Sequence, residues 1–108
     1  MPYIKYSKRD VLDPAINQVL DALHQLADQT ASTSVAGTNN MEGNVNYVFT
    51  RILQNLYPGR SYQEVNDAVG IMGCCTMEYY RRIAAPLEDE KAIENGDVLP
   101  TRGCNYVR

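Results

Sequence analysis

NVNYVFTRILQNLYPGRSYQEVNDAVGIMGCCTMEYYRRIA, residues 44–84, contains two helical periods and the punctuation between them. Val45, Val48, Phe49, Ile52, Leu53 and Leu56 recur at three- and four-residue spacing, which predicts a helix starting near Gly43 or Asn44 and ending at Leu56. Pro58 lacks an amide hydrogen and Gly59 accepts turn dihedrals, so "YPGR" closes that helix. Ser61 and Glu64 then form an S-x-x-E capping box, and a third helix is predicted from Tyr62. Val65, Val69, Met72, Thr76, Tyr79, Tyr80 and Ile83 trace one stripe that carries it to about Ala84. Gly70, Gly73 and Cys74 form a second stripe of small residues. A mid-helix glycine costs about 0.5–1 kcal/mol relative to alanine, so this pair predicts close approach by another element, with a glycine-induced bend as the alternative.

Working outward, Ile16, Val19, Leu20, Leu23, Leu26 and Ala27 keep the same spacing and define an N-terminal helix reaching about Asp28. Its start is offered twice, by Ser7 with Asp10 and by Asp13-Pro14, where proline would occupy the first helical position. "QTASTSVAGTNN", residues 29–40, has no period and too little apolar surface to offset its ordering entropy, so it reads as a mobile loop. Pro86 is predicted to break or restart the third helix. "LEDEKAIENGDV" is a short charged helix stopped at Asn95-Gly96, and residues 99–108 read as an extended tail. The fold expected is all-α: one domain over 1–108, a small helical hairpin or bundle of three main helices plus a short C-terminal helix. The second and third helices would form an antiparallel hairpin over about 44–84, packed by the first.

At 108 residues the chain suits a single core, and 44% hydrophobic with 21% charged residues is ordinary globular usage. A net charge of -3 lacks the positive field of a sequence-independent nucleic-acid binder. No apolar run reaches the roughly 18–20 residues that span a bilayer, and no secretory h-region opens the chain, so a membrane partner is not expected and a cytoplasmic location is. Cys74, Cys75 and Cys104 make an odd set without disulfide-framework spacing, and reduced thiols follow. Eight of the nine aromatic residues are tyrosine, which suits half-buried surfaces and interfaces.

The chemistry narrows by residue type. Asp21 and His24 lie three apart on one helical face, with Glu42, Glu64 and Glu78 available elsewhere, but carboxylate-bridged two-metal bundles use two E-x-x-H pairs and this chain has one histidine. Adjacent cysteines on a helix point about 100° apart and lack C-x-x-C spacing. No metal and no cofactor are expected. A nucleophile needs a base and an orienting third group, and the single His24 sits in no elbow motif. Carboxylate pairs in "LEDE", or Glu90 with Glu94, read as solvated surface, leaving metal-dependent nucleotide hydrolysis as a third-ranked class.

The remaining feature is a polar cluster. Asn46, Tyr47, Thr50 and Arg51 face away from the apolar stripe of the second helix, and Glu78, Tyr80, Arg81 and Arg82 end the third. An antiparallel hairpin would bring the two sets together. Two readings then compete: ion pairing with Glu78 or Glu42 that fixes helix register, or a site for a planar anionic ligand such as a nucleotide, bound by guanidinium forks and stacked on tyrosine.

"EGNVNYVFTRIL", "SYQEVNDAVGIMGCCTMEYYRRIAAPLEDEKAIENGDV" and the opening "MPYIKYSKRD" resemble a family of small uncharacterised bacterial and bacteriophage proteins whose members look like E-G-x-x-N-Y-x-x-T-R, E-x-Y-R-R and E-N-G-D-V. The resemblance falls on Glu42, Gly43, Asn46, Tyr47, Thr50, Arg51, Tyr62, Asn66, Gly70, Glu78, Tyr80, Arg81, Arg82, Pro86, Asn95, Gly96 and Asp97. The chain departs from it at Leu87, where the family favours tyrosine, and at "GCC". The phage association suggests, as an analogy of type, a homo-oligomer that sequesters a cyclic-nucleotide immune signal without cleaving it. The competing class is a protein-interaction or structural module.

Overall fold

The computed structural model describes residues 2–32 and 40–99, and every regular element among them is helical. The chain is an all-α protein of three main helices, the third continued by shorter pieces. In order these are α1 (Tyr6–Ser32), α2 (Met41–Leu56), α3 (Tyr62–Tyr79), a five-residue π-turn (Tyr80–Ala84) and α4 (Ala85–Asn95). The chain divides into two compact units, Met1–Val69 and Gly70–Arg108.

In the first unit α1 lies against α2. α1 begins upstream of either predicted start. Ser7 sits inside the first turn, and Lys5 supplies the carbonyl that receives the Lys8 and Arg9 amides at 3.0 and 3.2 Å. Arg9 secures the entry, its Nε donating to the Ile4 carbonyl at 2.8 Å and its guanidinium lying 4.8 Å from the Tyr6 ring centroid. Pro14 therefore falls in the helix interior, where its missing amide removes the bond to the Asp10 carbonyl without ending the helix. At the other end, residues 29–32 belong to α1 and not to the expected loop. Residues 33–39 and 100–108, the rest of that loop and all but Leu99 of the expected tail, lie outside the described residues.

α2 ends at Leu56 as its sequence predicts, and Tyr57 donates its amide to the Leu53 carbonyl at 2.7 Å. It starts at Met41, ahead of Gly43, because Asn40 takes a left-handed backbone (φ 46°) and its carbonyl receives the Asn44 amide. The capping box of α3 forms: the Glu64 amide donates to Ser61 Oγ at 3.2 Å. The return bond comes from the Arg60 amide, which donates to Glu64 Oε1 at 2.7 Å, one residue before the position the motif predicts.

In the second unit the helix restarts at Pro86, which lies in the first turn of α4, without a break in the helical backbone. The Ala85 amide reaches back to the Tyr80 carbonyl, five residues away, and this π register lets the helical ladder absorb a proline at the start of α4. α4 stops where predicted, at Gly96, whose φ of 93° suits a residue without Cβ.

The predicted stripes lie on the helices, yet no described residue is buried. Val45, Val48 and Leu53 of α2 are half-buried, whereas Phe49 and Leu56 remain 55% and 66% exposed. A Cβ built on Gly70 or Gly73 would meet nothing within 4 Å. The close approach predicted for these glycines is therefore not made by any described residue.

Candidate functional site

The candidate residues form local pairs on their own helices. In the first unit, residues one turn apart on α2 meet: Thr50 Oγ1 donates to Asn46 Oδ1 at 3.1 Å, and Arg51 Nη1 donates to the Tyr47 hydroxyl at 2.7 Å. The Arg51 guanidinium carbon also lies 5.6 Å from the Tyr47 ring centroid, within cation–π range. These four side chains are exposed, because the 3.6-residue period that turns Val45, Val48 and Leu53 inward turns them out. One of the five guanidinium donors of Arg51 is held by Tyr47, which fixes the direction of the fork. The result is an exposed cation tethered to an aromatic ring, beside a hydroxyl and an amide. Next to it, Met41, Glu42, Val45, Asn46 and Phe49 line a shallow open groove.

In the second unit the pairing is of another kind. Arg81 grips Glu78 through two nitrogens, Nε at 3.1 Å and Nη2 at 2.6 Å to Oε1, with Nη2 also 3.2 Å from Oε2. An incoming anion would have to compete with that carboxylate. Tyr80 donates its hydroxyl to Glu88 Oε1 at 2.7 Å, a partner that the sequence reading did not include. Its hydroxyl is held above the usual tyrosine range, first by this hydrogen bond and then by the negative charge of Glu88. Arg82 lies in the π-turn of the same unit. Glu78, Tyr80, Arg81 and Arg82 thus belong to one unit and Asn46, Tyr47, Thr50 and Arg51 to the other.

The residues weighed for other chemistry occupy ordinary places. Glu64, one of the carboxylates weighed for a metal, caps α3 and pairs with Arg60 at 3.5 Å. Asp21 and His24 are exposed on α1, and among the described residues no three of His, Cys, Asp and Glu cluster as metal ligands. Cys74 and Cys75 are free thiols, the first half-buried and the second exposed. None of the described helices is long and apolar enough to cross a membrane.

The fold and these exposed pairs define a small all-α protein whose candidate groups are arrayed on single helices. A sequence profile described as a domain of unknown function (DUF6899) matches residues 1–98, and the chain belongs to that family. No curated protein and no solved structure matches the chain.

Proposed function

We propose that this chain is a non-catalytic binding protein, acting as a homo-oligomer of phage or prophage origin, that sequesters a nucleotide-like anionic small molecule such as a cyclic-nucleotide immune signal. The observation that carries the reading is the Arg51–Tyr47 pair: a guanidinium already oriented by a 2.7 Å hydrogen bond and by the ring beneath it. A phosphate is bound by such a fork bidentately, and a base stacks on tyrosine, so one turn of α2 offers both halves of nucleotide recognition. Thr50 and Asn46, each one residue before Arg51 and Tyr47, add polar groups beside them. The motif resemblance to bacteriophage proteins supports the biological setting, and a nucleotide's charge and planarity suit these groups better than an apolar ligand does.

The test is native mass spectrometry of the purified full chain, before and after denaturation, followed by calorimetric titration with linear and cyclic mono- and dinucleotides. The expected result is an oligomer that releases or takes up a nucleotide-sized mass, with the nucleotide recovered intact. A protein that binds none of the panel overturns the sequestration reading and favours a protein-interaction module. Nucleotide turnover that disappears on Glu64→Gln or Glu78→Gln substitution would favour hydrolysis instead.

A further inference from the structure

Along α3 and into the π-turn, Val65, Val69, Met72, Thr76, Tyr79 and Ile83 follow one another at intervals of 4, 3, 4, 3 and 4 residues. That is a seven-residue repeat with alternating core positions, the pattern of a helix that packs against another helix. All six are exposed, with Val69 at 58%, Tyr79 at 62% and Ile83 at 51%. The half-buried residues of α3, Glu64, Ala68, Cys74 and Glu78, lie off this stripe. Most helical stability in proteins comes from packing of an amphipathic face, so an uncovered stripe calls for a partner helix.

We propose that the partner is a second copy of the same helix, packed antiparallel with its two-fold axis near residue 74. The proposal deepens the homo-oligomer part of the reading above and is independent of any ligand. Three observations carry it. First, the stripe is palindromic in spacing, so reversing one copy sets Val65 against Ile83, Val69 against Tyr79 and Met72 against Thr76, an unbroken set of layers. Second, the flanking positions nearest the axis are small. Gly73 faces its own counterpart on one side and Cys75 its own on the other, and the space open around Gly73 admits a neighbouring backbone. Third, Glu64 and Arg82 flank the stripe on one side at opposite ends. An antiparallel copy brings the same flank of both helices together and places each beside the other's opposite charge, whereas a parallel copy turns that flank toward the opposite one and makes no such pair. A stable interface takes about 800 Å² from each partner, of which the six stripe residues supply the centre and their flanks the remainder.

The experiment uses the full chain. With Cys74 and Cys104 replaced by serine, mild oxidation should yield a covalent dimer through Cys75, and Cys75→Ser in the otherwise native chain should abolish it. Spin labels at a Gln63→Cys site in a cysteine-free background should lie roughly 30–35 Å apart, the axial offset of an antiparallel pair at 1.5 Å per residue. A parallel pair would hold them within about 15 Å. Met72→Glu should shift the native mass to that of the monomer with helix content retained. Thr76→Val, which fills the same face without charge, should leave the dimer intact. A wild-type monomer overturns both this pairing and the oligomer reading. An oligomer that survives Met72→Glu, or whose Gln63→Cys labels lie close together, overturns the pairing alone. An intact α3 dimer that ignores nucleotides overturns only the ligand.

Discussion

The Tyr80 hydroxyl and the Glu88 carboxylate meet at 2.7 Å, so the first residue of the π-turn is bonded to the first acidic residue of α4. The bond spans eight residues and both sides of Pro86, where the backbone ladder lacks a donor. It gives the junction a side-chain tie in place of the lost backbone bond.

This tie predicts a pH dependence. The Tyr80 hydroxyl is held above its ordinary value near 10, because the hydrogen bond to Glu88 favours the protonated form. With the folded value raised, the stabilisation is fully present below the unfolded value and is lost as pH rises through the folded one. The tyrosinate absorbance that disappears in Tyr80→Phe should therefore titrate above the ordinary tyrosine value, and Glu88→Gln should move it earlier. Identical titration curves for the parent and Glu88→Gln proteins would remove the tie.

Ser61 and Glu64 predict a stability effect with a built-in control. Ser61→Ala deletes the acceptor for the Glu64 amide and should cost about 1 kcal/mol in denaturant unfolding. Glu64→Gln keeps an oxygen for the Arg60 amide and loses only an exposed ion pair, so its cost should stay below about 1 kcal/mol. A larger loss for Glu64→Gln than for Ser61→Ala would assign that carboxylate a role beyond the cap.

Pro14 carries a prediction of opposite sign. Alanine at this position restores a donor for the Asp10 carbonyl, and a proline in a helix interior costs about 3 kcal/mol relative to alanine, so Pro14→Ala should stabilise the protein by roughly 1–3 kcal/mol. Destabilisation in chemical denaturation would show that α1 needs the proline's local geometry to lie against α2.

The sequence was legible wherever a helix announces itself through its own side chains. The C-terminal end of α2, the Ser61 cap and the Gly96 stop are local signals, and each stands where its residues predict. The starts of α1 and α2 were less legible, because they depend on Arg9 reaching back to Ile4 and on Asn40 adopting a left-handed backbone, neither of which a cap motif encodes. Pro86 marks the restart of the helix as α4, but the π register that carries the backbone through it leaves no composition signal. The candidate site divides the same way. The sequence singles out Tyr47, Arg51, Glu78 and Arg81 but expects them to meet across two helices; their one-turn partners on the same stretch of helix are not anticipated, and Tyr80 with Glu88 requires knowing that the helix continues through the proline.

Arg51 supplies the prediction on which the proposed function turns. Its bond to Tyr47 is an exposed pair one turn apart on a helix, a class worth only about 0.2–0.5 kcal/mol, with exposed cation–π contact adding about 0.5–1 kcal/mol. Arg51→Ala should therefore change unfolding free energy by no more than about 1 kcal/mol and leave the native mass unchanged. If α2 binds a phosphate through this guanidinium, the same substitution should weaken nucleotide binding by at least tenfold, since a charge-assisted hydrogen bond contributes about 1.5–3 kcal/mol. Arg51→Lys keeps the charge but loses the bidentate fork, and should fall between the two. A large loss of stability or assembly in Arg51→Ala, with no change in nucleotide affinity, would make the pair a structural register and take the ligand reading with it.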